Sequence, residues 1–476
     1  MPDSKLNYHM PIDDFRKHGK QIIDWIADYL ENIESYPVMS TCKSGDIRKQ
    51  LPKSPPKSNE PFAKCIKDLD DIIMKGITHW QSPDFYAYFP SNSSLPSILG
   101  YLLSAGLGVQ GMLWATSPAC TELETHILDW IAEMLDLPEK YYSHSNGGGV
   151  IQDSASSATL CAVLAGREKA TGFCSNLNGV GENKLVAYAS EHAHSSIDKA
   201  VKIAGIGANN LRKIPADDNF SMLPDQLDLK IEEDLRAGFI PFFVCGTVGS
   251  TSSCAIDPIN EIGSMCRKYD LWFHIDAAYA GSAAVCPEFR YLNSGLQLAN
   301  SYSFNPHKFM LTNFDCNCFF VDDKNALINT LTIAPEYLKN KNSDENRVID
   351  YRDWQIPLGR RFRALKLWFV IRNYGVEGIR KHIRYNVKLA ELFEAKVINS
   401  KDFQLSAKRE LGLVCFRYNG SDGINQSILD KVNSSGKIFI SHTVLNGRYT
   451  LRFCTGQLNT TEEHINKAWK LIESFV

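Results

Sequence analysis

The chain has 476 residues, more than a single hydrophobic core usually organises, so two or three structural units are expected. Apolar residues make up 44% and charged residues 22%, as in ordinary soluble proteins, and a formal net charge of −3 gives no electrostatic reason to expect nucleic acid. No apolar run approaches the roughly 18 residues of a membrane span, and the first residues lack a basic-then-apolar leader pattern. Thirteen cysteines, odd in number and without a C-x-x-C pair, indicate neither a disulfide framework nor a zinc site, so a reducing cytoplasm is the expected compartment.

In chain order, Phe15, Ile22, Ile26, Tyr29, Leu30 and Ile33 recur at helical spacing and predict an amphipathic helix from Pro11 to Ile33, whose apolar stripe covers either its own core or a partner. The proline-rich run from Leu51 to Pro61 reads as an extended connector, and helical patterns return from Phe62 to Trp80. The middle alternates predicted helices (Leu123 to Leu137, Ala155 to Ala170, Ser195 to Ala204, Asn260 to Tyr269) with short apolar strands (Leu185 to Ala189, Ile240 to Gly246, Trp272 to Ile275). Such alternation predicts an α/β fold with a mostly parallel sheet covered on both faces, whose ligands gather at the carboxyl ends of the strands. Beyond about residue 360 the pattern changes to helices at Arg361 to Tyr374 and Asn386 to Val397, strands at Leu413 to Tyr418, Lys437 to Ser441 and Arg448 to Phe453, and a last helix at Thr461 to Phe475. This predicts a small α+β domain.

Residues that carry chemistry fall where that sheet would present them. Gly147 to Leu160 combines a glycine-rich turn with small hydroxyl residues opening a helix, which makes either a plain serine cap or a phosphate seat. His192 and His194 follow a strand; a metal site would need further ligands at suitable spacing, and none are evident, so no metal is expected. Asp276 closes the run Leu271 to Ile275, the small residues after it, Ala278 among them, leave room for a flat ring, and Lys308 follows in Asn305-Pro306-His307-Lys308. One lysine amine to hold an aldehyde and one upstream carboxylate to protonate a pyridine nitrogen are what pyridoxal 5'-phosphate (PLP) requires.

Five blocks in order resemble the aromatic L-amino-acid decarboxylases, group II PLP enzymes of the aspartate-aminotransferase fold (fold type I). They are Gly147 to Gln152, Ser190 to His194, His274 to Gly281, Asn305 to Lys308 and Asp350 to Phe362. The resemblance spans nearly the whole chain and implies an N-terminal helical dimerisation segment (1–92), a large PLP-binding domain (93–362) with a catalytic loop at about 331–348, and a small C-terminal domain (363–476). It implies Lys308 as the cofactor lysine, Asp276 as the pyridinium partner and His194 as the imidazole over the ring. Ser154, Ala155, Ser156, Asn305 and His307 match phosphate-side residues, Thr251 lies beside the ring, Gly359 comes from the other subunit of a homodimer, and Tyr337 takes the catalytic tyrosine position. Tyr88, Phe89, Pro90 and Ser91 lie in an aromatic-rich segment expected to form an apolar substrate pocket with Gln110 and Met112. Gln110 and Met112 stand where relatives carry an apolar residue and phenylalanine, and Asp153 stands where they often carry glycine. A buried Gln110 amide would favour a ring with a polar handle over phenylalanine. Relatives that form aldehydes typically carry Phe at the Tyr337 position or Asn at the His194 position, and neither change is present. Decarboxylation of an acidic amino acid would call for a basic pocket instead, and a catalytically dead scaffold would be expected to have lost Lys308 or Asp276.

Overall fold

The computed structural model describes residues 9–333 and 348–476. Seven strands, β1 (Gly148–Gln152), β2 (Leu185–Ser190), β3 (Leu211–Ile214), β4 (Ile240–Thr247), β5 (Trp272–Asp276), β6 (Ser301–Phe304) and β7 (Asn317–Val321), form one sheet in the order β1-β7-β6-β5-β4-β2-β3. Strands β3, β2, β4, β5 and β6 run parallel, and β7 is antiparallel to both β6 and β1. The expected mostly parallel sheet is present, with one reversed strand.

Side-chain alternation explains why these strands are apolar throughout. In β2, Leu185, Ala187 and Ala189 join one core with the helix Ala155–Ala170, while Val186 and Tyr188 join another with the helices Pro224–Arg236 and Ile259–Lys268. The helix Ala155–Ala170 lies close on the sheet because Gly166 faces Trp272: a Cβ at Gly166 would stand 2.9 Å from the Trp272 Cβ. That close seat fixes where the helix N-terminus points.

The helix Arg363–Asn399 joins the two helices expected in this region, with Gly375 (φ 61°, ψ 173°) as its one non-helical residue. Its first turns bury Leu367 and Val370 in the larger core. Its last turns bury Leu389, Phe393 and Val397 against a second sheet, β10-β11-β9-β8, all antiparallel. That sheet comprises β8 (Phe403–Leu405), β9 (Leu413–Tyr418), β10 (Ser441–Leu445) and β11 (Arg448–Cys454).

Two local expectations are corrected. The strand expected at Lys437 to Ser441 begins only at Ser441, because the backbone before it is diverted to the N-terminal segment: Tyr86 N–H donates to Phe439 O at 2.8 Å and Phe439 N–H to Asp84 O at 3.2 Å. The helical stretch expected from Phe62 to Trp80 stops at Gly76, and His79 N–H donates to Val38 O at 2.8 Å instead of continuing a helix. The helix Ile12–Glu31 is present with none of its residues buried, and the unforeseen helix Leu95–Leu107 leaves Leu95, Leu99, Leu102, Leu103 and Leu107 exposed.

Candidate active site

Register places the chemistry on the carboxyl edge of the sheet. Asp276 ends β5 opposite Thr247 of β4 and Ser303 of β6, and the chain leaves β6 through Asn305 into the turn Pro306–Phe309 that carries Lys308. His194 follows the end of β2 by four residues, and Ser154 caps the helix Ala155–Ala170 by accepting the Ser157 N–H at 3.2 Å. These converge on one cavity of about 210 Å³, lined by Ser154, Ala155, Ser156, His194, Thr251, Asp276, Ala278, Asn305, His307 and Lys308, with Phe89 among its walls.

Several of the polar groups there are oriented by a neighbour. Asp276 Oδ1 accepts the Ala278 N–H at 3.0 Å, and Asn305 Oδ1 accepts from Asn317 Nδ2 at 2.7 Å. His307 Nδ1 accepts the Cys316 N–H at 2.9 Å, which leaves its proton on Nε2. Burial and the adjacent Lys308 charge push the His307 imidazole down to about 4, so it is neutral at physiological pH. His194 Nδ1 accepts the Ser196 N–H at 3.1 Å, which likewise puts a neutral ring's proton on Nε2. Burial pushes the Lys308 amine down, and the Asp276 carboxylate opposes that shift. A depressed amine is a better nucleophile toward an aldehyde at neutral pH. The Phe89 ring stacks on Tyr279 with centroids 3.9 Å apart, and Lys308 Nζ lies 5.1 Å from the Phe89 centroid.

The cavity also contains residues that motif reading passed over: Thr247, Gly249, Tyr279 and Phe314. Thr247 has a buried hydroxyl with no partner among the described residues. Its place at the end of β4 was the available signal, whereas Phe314 sits in no recognisable pattern.

Other expected pocket residues lie elsewhere in this chain. Of Tyr88, Phe89, Pro90 and Ser91, Phe89 lines the cavity; Tyr88 stacks on Trp80 instead, with centroids 5.6 Å apart. Gln110, Met112 and Gly359 do not line it. Gln110 was expected to be a buried amide seeking a substrate partner; it is exposed, and its Oε1 accepts the Arg360 N–H at 3.2 Å, beside Gly359. Tyr337 and most of the 331–348 loop lie outside the described residues.

A carboxylate at a strand end, an amine in the turn after the neighbouring strand, an unpartnered threonine hydroxyl, and a serine-capped helix whose first residues line the cavity fit PLP. Fold and cavity together define a PLP enzyme. A family model described as the pyridoxal-dependent decarboxylase conserved domain matches residues 44–419. The chain is 48% identical to tyrosine decarboxylase 2 of Narcissus pseudonarcissus over 473 residues, covering 98% of this chain and 94% of that protein. It is 47% identical to a phenylacetaldehyde synthase of Arabidopsis thaliana over 476 residues, covering 98% and 96%. Among solved structures, that of Oryza sativa TDC with PLP and tryptamine matches with a TM-score of 0.95 at 38% identity, covering 99% of each chain. The chain belongs to the pyridoxal-dependent decarboxylase family, and its cofactor is PLP.

Proposed function

We propose that this enzyme decarboxylates aromatic L-amino acids to the corresponding arylalkylamine and CO₂, working as a homodimer. The observation that carries this is the convergence of Lys308, Asp276 and His194 on one cavity walled by the stacked Phe89 and Tyr279 rings. An aromatic wall favours a flat apolar side chain over a charged one.

Bound PLP supplies an electron sink for the pair left behind when the carboxylate departs. Asp276 holds a proton at the pyridine nitrogen, which keeps the ring electron-poor at the moment charge develops. Lys308 would hold the cofactor through its amine, which burial keeps depressed. Ser154, Ala155 and Ser156, with the helix dipole behind them, seat the phosphate beside Asn305 and neutral His307. His194, Ala278 and Thr251, which line the cavity, would hold the ring, the imidazole against one face and the small Ala278 leaving room for the other. Tyr337 delivers a proton to the former α-carbon, as its place in the family motif suggests.

A second copy of the chain supplies Gly359 and the Gln110–Met112 segment to this cavity, which accounts for their absence from its lining in one chain. The outward leucines of the helix Leu95–Leu107 and the unburied stripe of the helix Ile12–Glu31 support that assembly, and sedimentation should report the mass of two chains. A reducing cytoplasm is the proposed compartment, on the odd number of cysteines and the lack of a C-x-x-C pair in the sequence.

The test is a panel of L-tyrosine, L-tryptophan, L-phenylalanine, L-dopa, 5-hydroxy-L-tryptophan and L-glutamate, with amine and aldehyde both quantified. Amine from at least one aromatic substrate and none from glutamate is expected. Turnover of glutamate alone, or aldehyde as the main product, would overturn the proposal.

A further inference from the structure

Arg452 on β11 is 3% exposed and does not line the cavity, yet its guanidinium reaches two of the cavity's walls. Nη2 donates to Thr251 O at 2.7 Å and Nε to Ser252 O at 3.2 Å, in the loop that carries Thr251. Nη1 donates to Ser441 Oγ at 2.7 Å, and that hydroxyl accepts the Tyr88 N–H at 3.2 Å, next to Phe89. The guanidinium carbon lies 5.5 Å from the Phe89 centroid, the ring over which Lys308 Nζ stands at 5.1 Å. Among the described residues its hydrogen-bond partners are these three neutral oxygens. A guanidinium buried with no carboxylate partner costs stability unless its position serves something.

We propose that Arg452 is the positioning residue of the PLP cavity: it clamps the Thr251 loop and the Phe89 segment to the C-terminal sheet and brings its cation to the Phe89 ring over which Lys308 also stands. The inference rests on Lys308 being the cofactor lysine. The groups that act on that nitrogen are Asp276 from β5, Arg452 and Cys454 from β11, and Cys254 from the loop after β4. His307 lies beside it in the chain and His194 lines the same cavity. Asp276 favours the protonated form and Arg452 disfavours it. Arginine suits the clamp because its planar fork can serve three acceptors at once; a lysine would keep the charge and lose the fork.

The test uses PLP-loaded protein, reading the pH titration of the bound cofactor's visible absorbance and the PLP dissociation constant, with thermal unfolding alongside. In Arg452→Met the titration midpoint should rise by roughly one pH unit as the cation is lost, and PLP should bind at least about ten-fold more weakly as charge-assisted hydrogen bonds are removed. In Arg452→Lys the midpoint should stay near wild type while PLP still binds several-fold more weakly. A folded methionine variant with an unmoved midpoint would overturn the electrostatic half, because a purely structural residue changes the unfolding temperature alone. Wild-type PLP affinity in the lysine variant would overturn the clamp, and that variant decides alone if the methionine variant does not fold. Lys308→Ala, run in parallel, should lose the pH-dependent transition; its persistence would locate the failure in the assignment of Lys308, whichever substrate the enzyme takes.

Discussion

Asp276 and Asp153 stand at the same edge of the sheet, and their carboxylates act in opposite senses. Asp276, 7% exposed and oriented by the Ala278 N–H, is the carboxylate proposed as counter-charge to a cationic pyridine nitrogen. Asp276→Asn should retain PLP but lose activity by about 100-fold or more, the scale seen when a preorganised group facing developing charge is removed. Turnover within a few-fold of wild type, measured with PLP content fixed, would contradict the electron-sink role. Asp153 accepts the Ser154 hydroxyl at 3.1 Å, one residue before the proposed phosphate seat, so it places a second anion beside an anion site. It is half-buried and therefore screened. Asp153→Asn should tighten PLP binding by roughly two- to five-fold at low salt, while the PLP-free protein loses about 0.5 kcal/mol because the helix N-terminus gives up a favourable charge. Unchanged affinity at low salt would show that Asp153 does not act on the phosphate. Asp276 and His194 could be placed from sequence because each falls just after an expected strand, and Lys308 because it closes the Asn305-Pro306-His307-Lys308 motif downstream of Asp276. The partner of Gln110 could not, since Arg360 lies 250 residues away in the chain and no local pattern connects them.

Among the elements, β2, β4 and β5 were legible because strands buried on both faces are apolar throughout. β3 was not: as the sheet's edge strand it carries the polar pair Arg212 and Lys213. β7 is only five residues long, and its reversal depends on pairings with β6 and β1 that spacing alone does not specify. The segment before the helix Arg363–Asn399 is anchored by an ion pair that sequence gave no means of pairing. Arg360, 3% exposed, donates to Glu124 at 2.6 and 3.1 Å and to Ile151 O at 3.0 Å, while Glu124 Oε1 also accepts the Ile151 N–H at 2.8 Å. Glu124→Ala would strand the guanidinium, so a loss of about 3–5 kcal/mol in chemical denaturation is expected. A loss under about 1 kcal/mol would mean that water or another group reaches Arg360 once Glu124 is removed.

For the whole molecule, buried imidazoles set the response to acid. His274 and His307 are almost fully buried and are pushed down to about 4, chiefly by burial. Between that value and the ordinary imidazole value of about 6.5 the unfolded chain binds more protons than the folded one. Their contribution is therefore complete above about pH 6.5 and lost as pH falls through about 4, on the order of 3 kcal/mol for each ring. Burial raises Asp257 to about 6, so it works in the opposite sense over a similar window, and its magnitude is comparable to that of one ring. His382, also pushed down to about 4 by burial, acts in the same sense as the other two rings, so the PLP-free protein should lose a net of about 6 kcal/mol between about pH 7 and about pH 4. A denaturation midpoint that holds or rises on acidification would contradict this balance.

The most direct test of decarboxylation at this cavity is turnover of an aromatic L-amino acid in deuterated water, with CO₂, amine and aldehyde measured together. Equimolar CO₂ and amine are expected, the amine carrying one solvent deuterium where the carboxylate left and Lys308→Ala giving neither product. Aldehyde in place of amine, or CO₂ release that survives Lys308→Ala, would contradict it.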